Sequence, residues 1–118
     1  MQTLQELSCP HAEKMHQALD TITLQQLLQQ LGSDWQLTPD HTHLYKKFHF
    51  QNAYQMITFV NAIAWMTHFR NHPPELELRQ DHCLVCYTST KIKGLSEYDF
   101  LCAHKVEHLF QKHEEKIA

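Results

Sequence analysis

The segment from Asn52 to Arg70, followed at once by "NHPPE", constrains this chain more than any other. Ala53, Met56, Ile57, Val60, Ile63, Ala64 and Thr67 recur at helical spacing, and Phe59 and Met66 widen the stripe. Pro73 stops the helix, because the residue before a proline is pushed out of the helical region. A long helix that ends on His72, Pro73 and Pro74 leaves only short segments on either side to complete a core.

Those segments carry readable patterns. Thr23 precedes Leu24, Leu27, Leu28 and Leu31, which share one helix face; Thr23 is suited to cap that helix and Gly32 to end it. Strands are predicted near Trp35–Leu37 and His43–Phe50, where Leu44, Phe48 and Phe50 alternate with Tyr45, Lys47 and His49 beyond the turn "TPDHT". Past the prolines, "ELEL" and "HCLVCYTST" alternate around "RQD" and read as a second hairpin. Ser96 and Asp99 resemble a capping box, and Phe100, Ala103, Val106, Leu109 and Phe110 give the last helix its buried face. The order helix-strand-strand-helix-strand-strand-helix predicts an α+β fold: a four-stranded antiparallel sheet covered on one face by helices. Residues 1–22 are read as an irregular N-terminal arm and residues 23–118 as the domain.

Composition excludes some partners. A chain of 118 residues accommodates one core, and a net charge of −3 with scattered Lys and Arg offers no basic footprint for direct nucleic-acid binding. The longest apolar run, Ala62 to Met66, is far short of the roughly 20 residues that cross a bilayer, and the N-terminus lacks a signal pattern. A cytoplasmic protein without membrane association is expected, with Cys9, Cys83, Cys86 and Cys102 as reduced thiols. Eleven histidines invite metal readings. "HKVEH" at 104–108 has the H-x-x-E-H spacing of some zinc peptidases, but only ten residues follow His108 to bring a third ligand. Cys83 and Cys86, three apart in a strand, point to opposite faces, and "CPH" with His16 lies in the arm. No metal site is expected.

"FVNAIA" at 59–64, "HP" at 72–73 and "IKGLSEYDF" at 92–100 stand in an order and spacing that resemble the pterin-4a-carbinolamine dehydratase family, from Thr23 to Phe110. In that family a His-His-Pro ends the central helix, a later strand ends in Thr-His or Ser-His, and a Gly-Leu precedes an acidic residue in the last helix. The resemblance places the second histidine on His72, the proline on Pro73, the Gly-Leu on Gly94 and Leu95, and the acidic residue on Asp99. The first histidine falls on Asn71, the late strand histidine on Thr90, and a charged residue one turn before the first histidine on Thr67.

The resemblance implies loss of water from a 4a-hydroxytetrahydropterin to give the quinonoid dihydropterin. No cofactor is implied; a reduced pterin is the substrate or ligand. His72 is the expected catalytic group, with Asn71, Pro73, Thr90 and Asp99 as substrate-binding residues. Asn71 and Thr90 can hydrogen-bond but cannot exchange protons near neutral pH, so a weak dehydratase is expected. His68, one turn before His72, and Glu75, three residues after it, are the nearby titratable groups. The alternative is a non-catalytic pterin-binding or protein-interaction module, an assembly factor or dimerisation cofactor on the same scaffold. Assembly as a homodimer or homotetramer, and a protein partner, are implied by the same resemblance.

Overall fold

A computed structural model describes residues 18–32, 34–70, 72–89 and 92–117. The elements run α1 (Thr21–Leu31), β1 (Gln36–Leu37), β2 (Leu44–His49), α2 (Ala53–Arg70), β3 (Glu75–Leu78), β4 (His82–Tyr87) and α3 (Glu97–Ile117), the predicted order. The strands form one antiparallel sheet in the order β1-β2-β4-β3. Its centre is the long pairing of β2 with β4, from Leu44 opposite Tyr87 to His49 opposite His82.

Period-two alternation decides what each face does. Leu44 and Phe48 on β2 and Cys83, Val85 and Tyr87 on β4 are buried beneath the helices. Tyr45, Lys47 and His49, with His82, Leu84 and Cys86, lie on the opposite, more open face. Cys83 and Cys86 therefore part company as the strand geometry requires, and burial pushes each thiol up to about 11.

α1 starts three residues earlier than the leucine spacing suggests. Asp20, not Thr23, is the cap: its Oδ1 accepts the Thr23 backbone N–H at 2.7 Å, which lowers its pKa. Ile22 is 72% exposed, so the first turn adds nothing to the apolar stripe and the pattern becomes visible only at Leu24. Gly32 ends the helix with φ of 65° and gives its N–H to Leu28 O. Before the helix, the Leu19 N–H donates to Leu95 O, which ties the start of the fold to the loop ahead of α3.

α2 corrects the expected stripe. Met56, Phe59 and Ile63 are buried, with Val60, Met66 and Thr67 beside them, whereas Ala53, Ile57 and Ala64 face outward. Tyr54 and Trp65 are exposed on that helix too, so it is apolar nearly all round and periodicity alone could not choose its inner face. α3 contacts both α1 and α2, so Leu101 and Cys102 are buried as well as Phe100, Ala103 and Val106, while Leu109 and Phe110 are partly covered. Phe48 joins Trp35, Phe59 and Phe110, with ring centroids 5.8, 5.0 and 4.8 Å away. Buried Glu107 accepts the Trp35 indole N–H at 2.9 Å and the Lys46 ammonium at 2.7 Å, so the carboxylate of "HKVEH" is committed to the core. His104 is half-buried and His108 exposed. No described helix is long and apolar enough to cross a membrane.

Candidate active site

His72 lies in the short connection between α2 and β3, where Pro73 and Pro74 prevent the helix from continuing. Its ring is held from three sides. It lies nearly parallel to Tyr87, centroids 5.7 Å apart with planes 21° apart, and touches Tyr98 at 5.2 Å. On the third side Nε2 meets Asp99 Oδ1 at 2.6 Å.

Asp99 explains why that contact is fixed. It is the third residue of α3, and Oδ2 reaches back to accept the Ser96 N–H at 2.9 Å, the carboxylate half of a capping box. The Ser96 hydroxyl donates to the same oxygen at 3.2 Å and the Ser89 hydroxyl at 2.7 Å. Asp99 has no exposed surface, and these donors together with His72 occupy both of its oxygens. His72 keeps 19% of its side chain open to solvent. The arrangement joins a carboxylate sealed inside the fold to an imidazole at its edge, a pairing that can orient a ring for proton exchange.

The loop between β4 and α3 completes the corner. Ser89 and Gly94 form a bridge, with Ser89 N–H to Gly94 O at 3.1 Å, and Lys93 turns the chain with φ of 53°. A Cβ on Gly94 would stand 3.4 Å from the Ala18 side chain, an ordinary packing distance, so the loop lies close against the residues ahead of α1.

Of the predicted site residues, the structure brings His72 and Asp99 into contact and places exposed Pro73 next to His72 in the chain. Asn71 and Thr90 lie outside the described residues, as do Cys9 and His16 of the arm. His68 is exposed and stacks on Trp65 at 6.2 Å, and Glu75 is exposed on β3. Tyr87, Tyr98 and Ser89 were missed as parts of the site. The strand alternation that buries Cys83 and Val85 also turns Tyr87 inward, which was a usable signal; Ser89 and Tyr98 gave none without the loop geometry. The Tyr87 hydroxyl and Thr67 Oγ1 are buried without a hydrogen-bond partner among the described residues, and burial raises the Tyr87 phenol far above its ordinary pKa.

A second histidine group was missed altogether. His49, Asp81 and His82 each offer one ligand atom, all within 4.8 Å of one another. His49 stands far from Asp81 and His82 in sequence and meets them only through the register of β2 with β4.

The profile of the family described as pterin 4 alpha carbinolamine dehydratase matches residues 17–109. The chain belongs to the pterin-4a-carbinolamine dehydratase family. A provisionally named pterin-4-alpha-carbinolamine dehydratase of Nitrosomonas europaea is 40% identical over 108 residues, 92% of this chain and 94% of that one. Among solved structures, a transcriptional coactivator/pterin dehydratase from Brucella melitensis matches with a TM-score of 0.73 at 20% identity, covering 78% of this chain and 97% of the other. A pterin dehydratase-like protein identified as a RuBisCO assembly factor in the alpha-carboxysome matches with a TM-score of 0.57 at 18% identity, covering 67% and 92%. These two likenesses concern the fold. The pterin-4a-carbinolamine dehydratase resemblance read from "HP" and "IKGLSEYDF" accordingly draws on the segments that hold His72 and Asp99.

Proposed function

We propose that the protein is a slow pterin-4a-carbinolamine dehydratase in which His72 carries the proton transfers and Asp99 positions it. The observation that carries this reading is the 2.6 Å contact between the partly open His72 and the sealed Asp99. A carboxylate that accepts hydrogens from Ser89 and Ser96 on one oxygen presents an acceptor on the other as well. Nε2 of His72 then bears the hydrogen between them, and Nδ1 is left to give or take a proton.

In the substrate, the C4a–O bond breaks as the hydroxyl gains a proton and leaves as water. N5 loses its proton, and a C4a=N5 double bond forms. C4a and N5 are bonded neighbours, so one imidazole can serve both: protonated, it supplies the departing hydroxyl; neutral, it receives the N5 proton. Asn71 and Thr90 hold the pterin by hydrogen bonds beside Pro73, and Asp99 acts on it only through His72. General acid–base help is worth about 10²- to 10⁴-fold, so one titrating group where the family has three sets a low rate. Cys83, Cys86 and Cys102 as free thiols fit a reducing compartment such as the cytoplasm.

Turnover of a 4a-hydroxytetrahydropterin decides the matter. His72→Ala should lose activity by about 10²-fold or more. Asp99→Asn should lower turnover and shift its pH profile, and Asn71→His with Thr90→His should raise it. Unchanged turnover in His72→Ala would refute the acid–base role.

A second reading, an interaction module that keeps the scaffold without the chemistry, is favoured by the outward face of α2. Tyr54 is 82% and Trp65 69% exposed there, and Leu76 and Leu78 are exposed on the edge strand β3. Such surfaces suit a homodimer, a homotetramer or a protein partner. Absence of reduced-pterin binding at millimolar concentration would favour this reading over the enzyme.

A further inference from the structure

We propose that His49, Asp81 and His82 form a binding site for a divalent transition metal of the zinc, copper and nickel class, on the open face of the sheet. His49 and His82 are directly opposed partners in the β2–β4 ladder, and their rings lie 5.7 Å apart, inclined by 49°. Strand pairing therefore brings two imidazoles together without a flexible loop. Asp81 precedes His82 and meets its Nδ1 with Oδ1 at 2.9 Å. The Phe50 N–H donates to Asp81 O at 2.9 Å, and the Arg79 N–H to His82 O at 2.9 Å, so the backbones carrying all three side chains are pinned at the same end of the sheet.

The ligand atoms all lie within 4.8 Å of one another, against separations of roughly 3.4 Å around a tetrahedral ion bonded at about 2.0–2.1 Å, a difference that side-chain rotation can make up. Asp81, 73% exposed, and exposed His49 have room to make that rotation, while His82, 23% exposed, serves as the more fixed member. Two imidazoles and one carboxylate are donors suited to zinc, copper or nickel rather than magnesium or calcium, and three protein ligands leave a fourth position for water.

The site is separate from the His72 corner. Tyr87 lies five residue steps along β4 from His82, about 17 Å of strand, and Tyr87 and His82 face opposite sides of the sheet. The inference therefore stands whether or not the protein turns over pterins.

Zinc chloride titrated into the tag-free full chain, followed calorimetrically, should show a site that His49→Ala and His82→Ala each weaken by about tenfold or more. His68→Ala should leave it unchanged, which separates the site from general binding by a histidine-rich chain. Cobalt(II) added to the isotopically labelled wild type supplies a second readout that requires no variant. Its first paramagnetic shifts should fall on His49, Asp81 and His82. Zinc affinity unaffected by both variants, or first shifts elsewhere, would overturn the proposal.

Discussion

Two histidine corners occupy opposite ends and opposite faces of the same strand pair, and they differ in what holds the carboxylate. At the Tyr87 end, Asp99 is fully buried, caps a helix and is bound by both serines before it meets His72. At the His82 end, Asp81 is 73% exposed, its own helix-free turn leaves it room to move, and its described side-chain partner is the adjacent histidine. The first geometry is set before anything binds; the second is assembled by whatever arrives. Orientation for chemistry calls for the former, whereas ion capture tolerates the latter.

The largest effect should come from cutting the tighter corner. Asp99→Ala removes a helix cap and strands the buried Ser96 N–H and two hydroxyls, at a cost of about 2–4 kcal/mol in urea unfolding. Asp81→Ala should leave the unfolding midpoint where it is; an equal loss at both positions would erase the distinction. Next come the thiols of β4, one on each face. With Cys83 and Cys86 each near 11, alkylation at neutral pH, mapped by mass spectrometry, should run about 100-fold slower in the folded than in the unfolded chain. Fast labelling of Cys86 alone would mean that the open face admits solvent more freely than its burial indicates.

A smaller effect concerns how His72 is gripped. Tyr87→Phe keeps the ring that stacks on His72 and deletes a buried hydroxyl without a partner among the described residues, so it should cost less than about 1 kcal/mol and spare turnover. The smallest concerns His104, whose pKa burial lowers from 6.5, with Lys105 and His108 adding to the effect and Glu107 opposing it. Because the folded imidazole resists protonation, the unfolded chain takes up the proton first as pH falls below 6.5, and stability declines on acidification. His104→Gln should flatten that slope between pH 7.5 and 5.5.

Elements with a single apolar face could be read directly. The leucines of α1, the alternation in β2 and β4, and the prolines after Arg70 each state a local rule that tertiary structure did not overrule. α2 defeated the same method at the level of which side faces in, because Tyr54, Ile57 and Trp65 are apolar yet outward. The start of α1 was misplaced because Asp20 and Thr23 are both competent caps, and spacing alone cannot rank them. At the site, motif order singled out both His72 and Asp99, but their direct contact is visible only in the fold. The four-donor environment of Asp99 depends on Ser89, which a loop folds back. His49 and His82 illustrate the general limit, since neither belongs to a motif and only the strand register makes them neighbours.

The indole of Trp35 is locked to Glu107 inside the fold, whereas Trp65 stands 69% exposed on α2. The protein thus carries two tryptophans whose emission reports different events. Emission from the inner one follows loss of the packed interior, emission from the outer one follows contact with another surface, and replacing either by phenylalanine isolates the other signal without an added dye.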